Sequence, residues 1–264
     1  MINSSFPLPR IIIVTPSYNQ GCFIEETINS VLDQGYPNLE YIVMDGGSTD
    51  GTIEILKKYS SQLIWFSEKD RGQSHAINKG LRQATGDVFA FLNSDDVYEP
   101  SALLAVGEFF TIHPDTYWLT GWCQTMNTQG QVIRKLSTFY KKFWLIWRSY
   151  KALLVLDYVS QPATFWRREV IEKVGEFNEN FHYAMDYDYS LRVGKHYKLW
   201  VLPRYLARFR VHPTSKAGAS AHSQFDADLK IACSHTDSTL LQHLHAWHNS
   251  LIIAVYRLLL ASNA

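Results

Sequence analysis

Two adjacent carboxylates close an apolar run in "AFLNSDD", where Ala90, Phe91 and Leu92 lead into Asn93, Ser94, Asp95 and Asp96. Like charges side by side repel, and burial strengthens the repulsion. The pair suits either open water or a hard divalent cation, which could also grip a diphosphate. A third carboxylate, Asp45, ends another apolar run in "YIVMDGGSTDGT". Behind it Gly46 and Gly47 let the backbone turn sharply and come close to a ligand. The local alternative is a cap, with Ser48, Thr49 or Asp50 starting the next helix. "AMDYDYSLR" adds Asp186 and Asp188. On a helix they point about 200° apart and make no close dyad. Asp186 suits general-base work, or a place as a helix-start acid beside the dipole. "FRVHPTSKAG" supplies His212, which can meet a metal or a diphosphate, and Lys216, which can neutralise a leaving anion. Pro213 and Gly218 suit a flexible surface loop, and a mobile lid would satisfy both readings.

Positioning these groups requires a scaffold, and the first hundred residues spell one. Ile11–Val14, Tyr41–Met44, "LIWFSEKD" and "GDVFAFLNSDD" read as strands. "FIEETINSVLDQ", "TIEILKKYS" and "SHAINKGLRQAT" read as helices between them. Continuous apolar strands alternating with helices predict a doubly wound, mostly parallel sheet. Ligands of such sheets bind beyond the carboxyl ends of the strands. The clusters "TPSYN", "DGGSTDGT", "SEKDRGQ" and "NSDD" all fall on that edge. Neither GxGxxG nor a Walker loop is present, which disfavours dinucleotide and P-loop readings. Further on, "ALLAVGEFFTIH" predicts a helix and "YWLTGWCQTMNTQGQVIRK" a hairpin turning at 127–130. Trp166 reads as core rather than as a sugar platform, and His243, His245 and His248 as exposed residues of a terminal helix.

Composition limits the function. Lys+Arg and Asp+Glu balance at 25 each among 264 residues, which argues against a general nucleic-acid binder. Three scattered cysteines without CxxC spacing argue for a reducing compartment. The N-terminus has no secretory pattern, and no run is long enough to span a bilayer.

Taken together, "IIIVTPSYNQ", "YIVMDGGSTDGT", "KDRGQSHAINKGLRQATGDVFAFLNSDD" and "YAMDYDYSLRV" resemble the inverting glycosyltransferases of family 2 with the GT-A fold, over nearly all of residues 10–215. The resemblance implies a single Rossmann-like α/β domain over 1–220. Its nucleotide-sugar half would be 10–100 and its acceptor half 101–220, followed by a helical tail over 221–264. It implies a nucleotide-diphosphate sugar as donor, a UDP-sugar above others, with Mg2+ or Mn2+ as cofactor. The acceptor would be a saccharide or lipid-linked saccharide, in cell-surface polysaccharide assembly. On this pattern Thr15, Pro16, Ser17 and Tyr18 line the nucleotide pocket, and Asp45 meets the base. Asp70, Arg71 and Gln73 lie near base, ribose or phosphates. Asp95 is near the ribose, and Asp96 is on the metal with His212 as a further candidate ligand. A strict Asp-x-Asp reading would need an acid where Ser94 stands, so the metal rests mainly on Asp96. Asp186 is the base, with Met185 where the family often has an acid before it. Gln161, with Pro162, and Asp188 fall on the acceptor side, and His212 and Lys216 on the diphosphate and lid. The competing readings are a non-catalytic nucleotide-sugar-binding or membrane-peripheral scaffold, and a sugar-phosphate nucleotidyltransferase. The latter needs a basic Gly-rich loop that "TPSYNQG" does not supply. The location implied is cytoplasmic, with the inner face of the membrane as a second option. "LIIAVYRLLLA" and "YKKFWLIWRSYK" are open to packing, a homodimer contact or a membrane surface.

Overall fold

The protein is described by a computed structural model covering residues 7–216 and 221–261. Four parallel strands form its centre: β1 (Ile11–Ser17), β2 (Leu39–Asp45), β3 (Ile64–Ser67) and β4 (Val88–Phe91), in the order β3-β2-β1-β4. Helices α1 (Ile24–Leu32), α2 (Thr52–Lys58) and α3 (Gln73–Gln83) make the crossovers. Successive side chains of a strand face opposite ways. Ile12, Val14, Ile42, Met44, Phe89 and Phe91 therefore enter one apolar core, and Ile11, Ile13, Tyr41, Val43, Val88 and Ala90 the other. Both faces of the sheet are covered, which is why these runs are continuously apolar rather than alternating.

Strand β1 runs three residues further than the sequence suggests, through Thr15, Pro16 and Ser17. It stays in register with β2 as far as Ser17 opposite Asp45, while its pairing with β4 stops at Val14 opposite Phe91. Past Val14 it is an edge on the β4 side, where the missing N–H of Pro16 costs no ladder bond.

The second half extends the same sheet. It contains β5 (Val97–Tyr98), α4 (Ala102–Ile112), β6 (Trp118–Met126), β7 (Val132–Ile133), α5 (Lys135–Trp147) and α6 (Tyr150–Leu153). A 3-10 turn over Gln161–Ala163 leads to β8 (Thr164–Arg167), α7 (Glu169–Val174), α8 (Met185–Gly194) and β9 (Leu199–Arg210). Helices α9 (Ala221–His235) and α10 (Thr239–Ala261) follow. Strand β8 lies antiparallel between β4 and β6, β9 is parallel to β6, and β5 closes the order antiparallel to β9. The expected hairpin turns at Asn127 and Gly130, where the Gly130 N–H donates to the Asn127 carbonyl at 3.1 Å. Trp166 is core, stacked on Phe89. The functional consequence lies at β5 and β9. Val97 opposite Arg208 draws the chain after β9 alongside the "NSDD" strand end.

The terminal histidines differ from the sequence expectation. His243 is exposed, but His245 is buried against the Leu154 carbonyl at 2.9 Å, and His248 is half-buried on the Tyr140 hydroxyl at 2.9 Å. Each ring has one nitrogen on a polar partner, which offsets part of the cost of burial, and that burial lowers the pKa of both.

Candidate functional site

Asp45 ends β2 between Ser17 of β1 and Ser67 of β3. Its Oδ2 accepts from the N–H groups of Gly47 at 3.0 Å and Ser48 at 2.9 Å, and from the Ser67 hydroxyl at 2.7 Å. The Ser48 hydroxyl donates to Oδ1 at 2.5 Å. Only 2% exposed, this carboxylate spends its bonds shaping the loop. The loop is pressed from two sides: a Cβ at Gly46 would lie 2.8 Å from Asp70 Oδ2 and 3.3 Å from the Tyr18 ring. Three strand-end loops therefore converge at Gly46, and the exposed Tyr18 ring offers an apolar face there. Thr15 and Pro16 do not reach the rim surface. Both are buried within β1, with the Thr15 hydroxyl paired to that of Tyr41 at 3.1 Å. The Ser17 hydroxyl is buried with no hydrogen-bond partner among the described residues.

The two carboxylates of "NSDD" have different surroundings. Asp96 is fully buried; Oδ1 accepts from the Arg210 N–H at 2.8 Å and Oδ2 from the Asn93 amide at 3.2 Å. Burial first, and Asp95 second, push its carboxyl well above the ordinary range. Asp95 keeps some exposure, and its Oδ2 lies 3.0 Å from His212 Nε2. The other ring nitrogen of His212 is bonded to the Thr214 hydroxyl at 2.9 Å. Asp96 is thus buried with both oxygens engaged, while Asp95 and His212 stand together at the more open position. Among the described residues no three His, Cys, Asp or Glu gather as a metal site. A cation here would have these two groups at most, and the rest of its shell from diphosphate and water, as Mg2+ commonly does.

Sequence reasoning missed Arg210, which organises this corner. Only 1% exposed, its guanidinium donates to the Asp95 carbonyl at 2.8 Å, the Thr128 carbonyl at 3.1 Å and Glu26 at 2.6 Å, and stands over the Phe23 ring. The alternation of "RFRVH" carried the signal, since Arg210 and His212 share one strand face.

A hydrogen-bonded line crosses the rim. Lys216 Nζ donates to Gln73 Oε1 at 2.9 Å, Gln73 Nε2 to Asn93 Oδ1 at 2.5 Å, and Asn93 to Asp96. Lys216 also holds the His182 carbonyl at 2.7 Å. Burial lowers the Lys216 ammonium below its usual range, and the charge of Asp186 opposes that. Arg71 instead turns to Glu179 at 2.5 Å, and Asp70 caps its own turn through the Gly72 N–H at 2.8 Å.

Asp186 stands in the first turn of α8, just after Ala184, which is held at φ +56°. For a residue with a Cβ that conformation is strained by roughly 1 kcal/mol. Around it lies a group that sequence reading did not find. Burial first, and then Asp186, raises Asp157 to about 6 against the charge of Lys141. Asp228 on α9 is pushed up to about 8 by burial, then by Asp157 and Asp186. Asp188 lies apart. It is buried, with Oδ2 on Arg192 at 2.8 Å and Oδ1 on His235 at 3.1 Å, which hold it below the usual range although burial raises it. One oxygen is thus held within α8 and the other joins α8 to α9. Gln161 is likewise buried, its amide capping β4 through the Phe91 carbonyl at 2.6 Å.

A groove of about 370 Å³ opens between residues 180–183 and α9, lined by Tyr183, Asp226 and Lys230 among others. Another concavity, about 760 Å³, lies away from the rim near Pro9, Asp87 and Arg168 and includes none of the residues above.

The chain resembles known proteins in sequence and in fold. The profile described as "Glycosyl transferase family 2" matches residues 12–175. A putative teichuronic acid biosynthesis glycosyltransferase, TuaG of Bacillus subtilis, is 38% identical over 118 residues, 43% of this chain and 47% of that protein. A PGL/p-HBAD biosynthesis glycosyltransferase of Mycobacterium bovis is 27% identical over 189 residues, 70% of this chain and 69% of that one. The chain spans about half the length of the first of these relatives. Among solved structures, the mannosyltransferase PcManGT of Pyrobaculum calidifontis, in complex with GDP-Man and Mn2+, superimposes with a TM-score of 0.69 at 20% identity, over 91% of this chain and 70% of that one. S. aureus TarS with UDP-GlcNAc gives 0.64 at 17% identity, over 90% and 70%. The likeness establishes the GT-A fold.

Proposed function

The chain belongs to glycosyl transferase family 2, and from that premise we propose that it is an inverting glycosyltransferase acting in surface polysaccharide or glycan assembly. The donor is a nucleotide-diphosphate sugar, a UDP-sugar above others, and the acceptor a hydroxyl of a saccharide or lipid-linked saccharide. The observation that carries this reading is the position of Lys216, bonded to the donor rim through Gln73 while lying in the field of Asp186. One cation thus joins the strand-end loops to a carboxylate that takes no hydrogen bond from any described residue.

The nucleotide lies over Gly46 between Tyr18 and Asp70, and its diphosphate points toward Asp95 and His212. A divalent cation held there, Mg2+ or Mn2+, would neutralise diphosphate charge. Asp186 accepts the proton of the acceptor hydroxyl. That oxygen bonds to the anomeric carbon from the face opposite the diphosphate. The bond from that carbon to the diphosphate oxygen breaks, and the electron pair leaves with the nucleoside diphosphate. Lys216 counters the charge as it develops. The groove along α9 is the acceptor's approach. Three free cysteines, Cys22, Cys123 and Cys233, support a reducing, cytoplasmic setting.

The test is a product analysis. The protein is incubated with α-linked nucleotide sugars and an acceptor panel, and the anomeric proton coupling of the product is read by NMR. A β-linked product is expected. An α-linked product, or none with any donor, contradicts the reading.

A further inference from the structure

Helix α5 has two opposed faces. Thr138 and Leu145 are buried, whereas Leu136, Phe139, Phe143, Ile146 and Trp147 are exposed. These spacings form one stripe, about 100° wide at the helical repeat. Helix α10 repeats the arrangement. Leu240, Leu244, Trp247, Leu251 and Val255 are exposed, while His245 and Asn249 are buried. The helices meet where Tyr140 bonds and stacks on His248. Further along the first segment, Leu154 meets His245, which comes earlier in the second. Phe139 and Phe143 flank Tyr140, and Leu244, Trp247 and Leu251 lie within a turn of His248, so the contact between the helices has an exposed apolar border.

Charge decides what can cover it. Between Arg134 and Lys151 the chain carries Arg134, Lys135, Lys141, Lys142, Arg148 and Lys151 and no Asp or Glu, and no acid occurs between Thr239 and Ala261. The whole chain is balanced at 25 of each sign, so this is a local excess. Lys135, Arg148 and Lys151 are exposed around the stripes. A second copy of the chain, docked about a two-fold axis, would set these cations against themselves. An anionic lipid surface answers both the apolar stripes and the cations. Among the described residues no helix is long and apolar enough to cross a membrane, so contact would be along the surface.

We propose that α5 and α10 form a docking face for an anionic lipid bilayer, with both helices lying in its headgroup region. The proposal stands apart from the transfer reading, because binding can be measured without turnover. Joined to that reading, it has a consequence. The inward side of α5 presents Lys141, whose charge acts on Asp157 and Asp228, and these in turn feel Asp186. The lipid face and the acids around the candidate base are then linked electrostatically through α5, which suits transfer to a membrane-held acceptor.

The experiment is co-sedimentation of the full chain with phosphatidylglycerol or phosphatidylcholine vesicles, at low and high salt. Capture by the anionic vesicles is expected, several-fold weaker at high salt, with little capture by the neutral ones. Phe139→Ser with Trp247→Ser should weaken capture at least about tenfold, with circular dichroism and nucleotide binding unchanged. Lys135→Glu with Arg148→Glu keeps the stripes and should lose the preference for anionic lipid. No capture by either vesicle, equal capture by both, or capture untouched by the variants overturns the proposal. A wild-type dimer that Phe139→Ser with Trp247→Ser converts to monomer also overturns it, and assigns the face to a second copy.

Discussion

The proposed donor rim and the proposed acceptor side use the same chemical group in opposite ways. On the donor rim Asp45 and Asp96 are buried with their oxygens engaged by Ser48, Ser67, Asn93 and backbone N–H groups. On the acceptor side Asp186 and Asp228 take no hydrogen bond from any described residue and face each other's charge and that of Asp157. A carboxylate with completed hydrogen bonds holds a shape, which is what recognition of a rigid nucleotide needs. A carboxylate without them leaves its oxygens open to a hydroxyl from outside, which is what a general base needs. The matched family profile ends at residue 175, so it covers the first arrangement and leaves Asp186, His212 and Lys216 outside.

Five substitutions separate the two arrangements. The largest effect is expected at Asp186→Asn, which should cut turnover about a hundredfold to ten-thousandfold. Nucleotide affinity should be unchanged, as measured by steady-state kinetics beside calorimetry. Equal losses in rate and nucleotide affinity would merge the two regions into one. Next, Asp96→Ala should lower stability by about 2–3 kcal/mol, since it strands the Arg210 and Asn93 donors in the interior. Asp95→Ala should unfold near the wild-type denaturant concentration. The reverse order would return the metal role to Asp96.

Asp228→Asn gives a pH signature. Burial and its neighbours raise the folded Asp228 to about 8, above the unfolded carboxylate. Its stabilising contribution is therefore complete in acid, below about pH 4, and is lost as pH rises through the folded value. The asparagine stays neutral throughout. Variant and wild type should unfold alike at pH 4, and the variant should be the more stable at pH 9, by up to about 5 kcal/mol for a difference of about four pH units. A pH-independent difference would show that Asp228 titrates normally. The smallest effect belongs to Arg71→Ala. Its pair with Glu179 is mostly solvent-exposed, so stability should change by less than about 0.5 kcal/mol. Any fall in nucleotide affinity then reports a direct contact.

The central strands and their polar rim were legible in the sequence because a strand buried on both faces leaves a continuous apolar run, and its end is marked by turn residues. The end of β1 was not, since Pro16 reads as a breaker and only the early stop of β4 makes it harmless. Which of Asp95 and Asp96 turns inward was also hidden. That choice depends on Arg210, whose N–H reaches Asp96 from far along the chain. Asp157 and Asp228 carry no motif and gain meaning only when α9 packs beside α8. For the same reason His245 and His248 read as surface residues until Leu154 and Tyr140 are brought to them.

The central claim is that the rim holds a nucleotide diphosphate through a cation at Asp95, separately from the base at Asp186. Thermal unfolding with UDP, GDP and their sugars, with and without Mn2+, on wild type, Asp95→Ala and Asp186→Asn tests it directly. The account predicts metal-dependent stabilisation by one nucleotide, retained in Asp186→Asn and lost in Asp95→Ala. No stabilisation by any nucleotide in the wild type, or a metal-dependent shift that survives in Asp95→Ala, would contradict it.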